Sequence, residues 1–166
     1  MDPLITEWMR PFVVAKGPFG RVLELGAREI ENYGSIRPAF EGCGEYVGLD
    51  MIEGPGVDVV MNAHELEFGD DERLIEPFDC VVATSFFEHD AAFWLSLRGV
   101  RAMLAHGGWF VMTVPFLEWG VHDYPGDYYR YTPQAIQEVL FDGFQEFHLT
   151  NPIPQTQHFG AWGRWP

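Results

Sequence analysis

Two short apolar runs, each ending on a residue suited to holding a ligand, limit this chain to few architectures. The first is Arg21-Val22-Leu23-Glu24-Leu25-Gly26 and the second Tyr46-Val47-Gly48-Leu49-Asp50. Short runs of this kind, bounded by glycine or a polar turn residue, read as buried parallel strands with a helix expected between them. In a doubly wound sheet the ligand sits outside the carboxyl ends of the strands, where Gly26 and Asp50 fall. Gly26 allows close approach of the backbone, and an acid some twenty residues further on can accept hydrogen bonds from ribose hydroxyls. The pair reads as a nucleoside half-site.

The loop after Gly26 chooses between cofactors. A dinucleotide site needs Gly-x-Gly-x-x-Gly, with backbone amides turned to a pyrophosphate. Here Gly26 is followed by Ala27-Arg28-Glu29-Ile30-Glu31, and the next glycine is Gly34. Two carboxylates in that loop would repel a pyrophosphate but suit a cationic sulfonium with a free amino group. Glu24 can hold positive charge there through water or the backbone. The loop argues against NAD and for S-adenosylmethionine.

The rest of the chain continues the alternation. Ser35 is placed to cap a short helix from Ile36, with Pro38 tolerated in its first turn. Val57–Met61 and Phe78–Thr84 read as the third and fourth strands. Asp90 is expected to cap a helix with Phe93, Leu97, Val100 and Leu104 at helical period, and Gly107-Gly108 to turn into the fifth strand. Thr132-Pro133 opens a helix carrying Ile136, Val139 and Leu140 and ending at Asp142-Gly143. Gln145–Leu149 and His158–Trp165 can form a terminal antiparallel pair. Ile5, Trp8, Met9, Phe12 and Val13 have helical spacing interrupted by Pro11, in a segment expected over the sheet or over the site. With 166 residues, 47% hydrophobic and 16% aromatic, one core is well supplied. The expectation is an α/β, doubly wound, Rossmann-like fold: a mostly parallel seven-stranded sheet with an antiparallel C-terminal pair. It forms one minimal domain, with a cap segment at 1–19, a cofactor-binding half at 20–115 and an acceptor side at 116–166.

Several runs occur in an informative order: Leu23-Glu24-Leu25-Gly26, Gly48-Leu49-Asp50, Asn62-Ala63-His64-Glu65-Leu66, Phe78-Asp79-Cys80-Val81-Val82-Ala83, Ser85-Phe86-Phe87-Glu88-His89 and Gly107–Pro115. In this order the chain resembles the class I S-adenosylmethionine-dependent methyltransferases of the small type 11 kind, over roughly residues 20 to 135. It departs from them in the first loop, which keeps only Gly26 before Ala27-Arg28-Glu29. The resemblance implies that Glu24, Gly26, Ala27 and Arg28 surround the cofactor's methionine end and that Asp50 takes the ribose. Met51 either packs on the adenine face or fills core. Asn62, Ala63 and His64 follow the third strand, where the family places the adenine edge. Ser85 and Phe86 would lie beneath the cofactor, unless Phe86 is core.

Charge narrows the acceptor. Ten Lys+Arg against 25 Asp+Glu give a net charge of −15 and a pI near 4.5. Nucleic-acid binders carry a basic footprint, so a small-molecule acceptor is expected rather than DNA or RNA. No run approaches the ~18 apolar residues of a membrane helix, and Met1-Asp2-Pro3-Leu4 lacks a signal-peptide pattern. Cys43 and Cys80 do not suggest a disulfide framework, and a reducing cytoplasm is the expected compartment. The tail Phe159–Trp165 would suit a homodimer contact or a terminal strand packed on the sheet.

Methyl transfer needs alignment above all, with a general base where the acceptor is a hydroxyl. His89, after Glu88, is one candidate. His122, oriented by Asp123, is the preferred one. It lies in Val121–Pro133, a stretch resembling the H-D-x-P-x-D-Y-Y-R-Y-T-P segment of many small bacterial and phage methyltransferases, often ones near sugar-modifying pathways. Asp127 and Arg130 read as a structural ion pair. His64, Glu65, Glu88, His89, Asp90, His122 and Asp123 all fall near the carboxyl edge, where a divalent ion is conceivable. No His-x-x-x-His or similar spacing supports one, and no metal is expected. The reading is methyl transfer to a small polar acceptor, at oxygen of a sugar or similar hydroxylated metabolite. N-methylation, or an idle cofactor-binding domain within an assembly, are its alternatives.

Overall fold

Seven strands in the order β3-β2-β1-β4-β5-β7-β6 form a single sheet. A computed structural model describes residues 3–30, 34–122 and 126–166. The strands are β1 Arg21–Leu25, β2 Glu45–Asp50, β3 Val59–Val60, β4 Phe78–Thr84, β5 Leu104–Pro115, β6 Gln145–Thr150 and β7 His158–Arg164. Pairings β1–β2, β1–β4, β2–β3 and β4–β5 are parallel, whereas β7 runs antiparallel to both β5 and β6. The expected α/β fold with its reversed C-terminal strand is the one observed.

Side chains alternate between two cores, as the twofold period of a strand requires. On one face Leu23, Leu25, Val81, Ala83, Phe110 and Met112 meet Leu97 and Val100 of α2 (Phe93–Met103), with Ile136 and Leu140. On the other, Val22, Val82 and Val111 meet Ile5, Met9 and Phe12 of α1 (Pro3–Lys16). Pro11 does not interrupt α1, which is continuous and packs on the sheet. Its Trp8 donates its indole N–H to Thr150 Oγ1 at 3.0 Å, and a Cβ built on Gly160 would lie 2.4 Å from the same ring.

Other expectations need correcting. Among the described residues no α-helix joins β1 to β2; the segment holds only a 3-10 turn, Arg37–Phe40, with Ser35 Oγ accepting the Arg37 N–H at 3.1 Å. The third strand shrinks from Val57–Met61 to two residues. Leu104 opens β5 instead of ending α2. Asp90 does not cap α2, whose N-cap is Ala92; its carboxylate accepts the Ala92 N–H at 2.9 Å in a local turn. The helix after Thr132 is one α-turn, α3 (Pro133–Ala135), continued by a π-turn over Ile136–Leu140, with Val139 exposed. The aromatic tail is a sheet strand, Phe159 and Ala161 lying in the core. Among the described residues no helix is long and apolar enough to cross a membrane.

Candidate active site

The carboxyl ends of β1, β2 and β4 bring the half-site together. Gly26 has φ +75°, a conformation that suits glycine, and the amides of Gly26 and Ala27 both donate to Leu49 O, at 2.9 and 3.1 Å. The chain thereby folds over the end of β2. Arg28 N–H donates to Asp50 Oδ2 at 3.3 Å, and Glu29 N–H to Pro55 O at 2.9 Å. All three loop amides after Gly26 are therefore committed to protein acceptors. A Cβ on Gly26 would come within 3.0 Å of Phe86, so the glycine and this ring face each other. Phe86 is half-buried and packs edge-on to Phe87.

Asp50 is half-buried; its Oδ1 accepts the Ile52 N–H at 2.9 Å, and each oxygen keeps a lone pair for a further donor. Met51 is 58% and Ile52 41% exposed, so Met51 is not core filling but an open apolar surface beside the carboxylate. Asn62 begins the 3-10 helix Ala63–Phe68, its Oδ1 accepting the His64 N–H at 3.0 Å, and Ala63 is buried beneath it. The His64 ring turns to Asp90, with Nε2 to Oδ1 at 2.6 Å, and so clasps two connections together. Ser85, at φ +48°, donates its N–H to Thr113 O at 3.0 Å, and its hydroxyl lies 3.3 Å from His158 Nε2. Glu24 is buried on the α1 face, where the Tyr46 hydroxyl donates to Oε2 at 2.8 Å. Burial pushes its carboxyl up to about 7, against the lowering influence of Tyr46 and Arg37. Its carboxylate is thus partnered by Tyr46 and not presented at the open edge.

A second group gathers after β4. The 3-10 turn Phe87–His89 is overlaid by the stretch from Gly126 to Tyr131, with Tyr128 N–H donating to Glu88 O at 2.8 Å and the buried Tyr131 hydroxyl to Phe87 O at 3.0 Å. Glu88 is fully buried, and among the described residues neither of its carboxyl oxygens has a hydrogen-bond partner. Burial raises it to about 8; Arg130 opposes that rise and Asp127 adds to it. His89 Nδ1 lies 2.5 Å from Gly126 O, a contact that requires the proton on Nδ1 and leaves the Nε2 lone pair free in the neutral ring. That Nε2 is 3.7 Å from Glu88 Oε1, and the rings of His89 and His122 stand edge to face at 4.8 Å. Burial holds His89 below its ordinary value, against the Gly126 hydrogen bond.

The loop carrying His122 is held by an ion pair. Arg130 grips both oxygens of Asp127, and its guanidinium also donates to the carbonyls of Trp119 at 3.2 Å, Gly120 at 2.9 Å and Tyr129 at 2.8 Å. Arg130 holds the Asp127 carboxyl down at about 2. His122 N–H donates to Asp127 Oδ2 at 2.9 Å. Asp127 and Arg130 are thus the structural pair expected. Asp123, expected to orient His122, lies outside the described residues.

The structure therefore brings Gly26, Ala27, Arg28, Asp50, Met51 and Phe86 together, and separately joins His89 to His122. His64 is drawn away to Asp90. Glu88, which the sequence offers only as one of several acids at the carboxyl edge, is set apart by its complete burial. Its signal was an acid inside an apolar run directly after a strand.

No family model matches this chain, and no curated protein sequence matches it. Its fold does have solved counterparts. The N-methyltransferase NodS from Bradyrhizobium japonicum WM9 superposes with a TM-score of 0.67 at 15% identity, over 99% of this chain and 98% of that one. A Burkholderia thailandensis 1,6-didemethyltoxoflavin-N1-methyltransferase, with bound 1,6-didemethyltoxoflavin and S-adenosylhomocysteine, gives 0.68 at 18% identity, over 99% and 77%. An S-adenosylmethionine-dependent methyltransferase from Archaeoglobus fulgidus gives 0.67 at 16%, over 98% and 93%. The chain has the class I S-adenosylmethionine-dependent methyltransferase fold.

Proposed function

We propose that this chain is an enzyme that transfers a methyl group from S-adenosylmethionine to a hydroxyl oxygen of a small polar acceptor, a sugar or similar hydroxylated metabolite. The observation that carries the reading is the half-site itself: a bare Gly26 facing Phe86, beside an acid with lone pairs to spare and two open apolar side chains. Asp50 is suited to ribose hydroxyls, and Met51 and Ile52 to the face of a base. The loop amides, already bonded within the protein, offer no cradle for a pyrophosphate, which disfavours NAD.

S-adenosylmethionine supplies a methyl group on a cationic sulfonium that is already electrophilic. What remains for the protein is to hold the acceptor in line and keep water out, which contributes on the order of 7–11 kcal/mol in well-oriented systems. Glu88, His89 and His122 occupy the next strand end, where an acceptor's proton has to be drawn off. A neutral amine attacks through its own lone pair and needs no such removal beforehand, so this cluster favours oxygen over nitrogen. The exposed Tyr128 and Trp119 offer ring faces for a flat or sugar-like acceptor. The chemistry is assigned to the cytoplasm, which would keep both free thiols, Cys43 and Cys80, reduced.

Calorimetry with S-adenosylhomocysteine and NAD tests the reading. Micromolar binding of the former alone, weakened at least about tenfold by Asp50→Ala as a lost charged hydrogen-bond acceptor implies, is expected. Binding of NAD alone, or of neither, would overturn it.

A further inference from the structure

The geometry points to a site for one divalent transition-metal ion formed by Glu88, His89 and His122. One potential ligand atom from each of these residues lies within 4.8 Å of the others. The sequence reading expected no metal because the three residues lack a helical ligand spacing. They meet instead because the stretch after Gly126 folds back over the Phe87–His89 turn.

Three features argue that this is a ligand set and not a chance cluster. First, Glu88 is fully buried with both carboxyl oxygens unpartnered among the described residues, a costly arrangement unless something else engages them. Second, His89 is oriented as metal-binding histidines are: Nδ1 is pinned to a backbone carbonyl, that of Gly126, and Nε2 faces Glu88 Oε1. Third, Arg130, whose guanidinium lies 3.4 Å from His122 Nδ1, has its charge matched by its fork to Asp127, and His122 keeps Nε2 for a cation. Metal–ligand bonds of about 2.1 Å draw ligand atoms to roughly 3–4 Å of one another. The site must therefore tighten by about 1 Å, and His122, with 40% of its side chain exposed, has the room to move.

Two imidazoles and one carboxylate select first-row ions between manganese(II) and zinc(II), since magnesium and calcium prefer oxygen ligands throughout. Three protein ligands leave positions open on the His122 side. On the methyl-transfer reading, on which this role rests, the acceptor's hydroxyl oxygen takes one of them and its proton passes to solvent water. Coordination lowers the pKa of a bound oxygen steeply.

The test starts from protein stripped with a chelator, dialysed, and titrated with cobalt(II) followed by visible absorption and with zinc(II) followed by calorimetry. One equivalent should bind at micromolar Kd or tighter, and Glu88→Gln, His89→Asn and His122→Ala should each weaken it at least about 100-fold. Glu88→Gln keeps shape and neutrality, and His89→Asn keeps a donor for Gly126, so both variants are expected to keep the metal-free melting temperature. His106→Ala, an exposed histidine at the start of β5, should bind metal as the parent does. No binding, or binding that survives all three ligand variants, would overturn the site. S-adenosylhomocysteine titrated into the same stripped protein separates the two readings. If it binds while the metals do not, only the metal site falls. If the metals bind while it does not, the site stands and the methyl-transfer reading falls.

Discussion

Glu24 shows how far one buried side chain can set behaviour. Its carboxyl sits at about 7 in the folded chain against an ordinary 4.5. Between those values the folded state keeps a proton that the unfolded state releases, so Glu24's contribution to stability falls as pH rises through the window and levels off above it. Glu24→Gln still accepts the Tyr46 hydroxyl and has no proton to lose. It should remove Glu24's share of the fall in urea-unfolding stability from about pH 4.5 to 7, leaving the share of Glu88, which burial raises to about 8, and gain on the order of 3 kcal/mol at pH 8. A variant whose profile parallels the parent's would refute the assignment. Gly26 carries a different constraint. With φ +75° and Phe86 3.0 Å from any added Cβ, Gly26→Ala is expected to cost about 1–2 kcal/mol in thermal unfolding. On the proposed placement of the cofactor, S-adenosylhomocysteine affinity should fall with it, because the displaced ring would intrude on the half-site.

Among the elements, the loop from Phe116 to Tyr131 depends on one guanidinium that bridges Asp127 and three carbonyls. Lysine has neither the planar fork nor enough donors for that set. Arg130→Lys should raise the acceptor KM by about tenfold or more while leaving S-adenosylhomocysteine binding within about twofold. Steady-state kinetics and calorimetry on the same preparation would separate the two effects, and equal losses in both would contradict this division of labour. Much at this scale was legible in the sequence. Phe78–Thr84 reads as a strand because it is apolar on both faces, and both of its faces are covered. Among the described residues, the helix expected after Gly26 is absent for a reason the run itself does not display. The amides of Ala27, Arg28 and Glu29 are claimed by Leu49, Asp50 and Pro55, acceptors that come close only once β2 has paired. Asp90 fails as a cap similarly, since His64, far away in sequence, competes for its carboxylate. Glu88, His89 and His122 can be placed near one sheet edge from the sequence, but not singled out as a group, because they become neighbours only through the fold of an irregular loop.

For the whole molecule, the sheet order matters more than any single contact. The last strand, β7, is inserted between β5 and β6, and α1 packs where that strand lies. Gly160→Val would drive a branched side chain into the Trp8 ring, so urea unfolding should report a loss of about 1–3 kcal/mol or more from overpacking. An unchanged midpoint would mean that α1 is not seated there. The same arrangement governs how the chain comes into being on the ribosome. The helix α1 carries Ile5, Trp8, Met9 and Phe12, and Thr150 and Gly160, which complete its seat, are made long after it. Until those residues are made, that apolar stripe has no finished surface to cover it. A chain stopped before Thr150 should therefore be far more prone to aggregate than one that carries Gly160, which light scattering of the two would show.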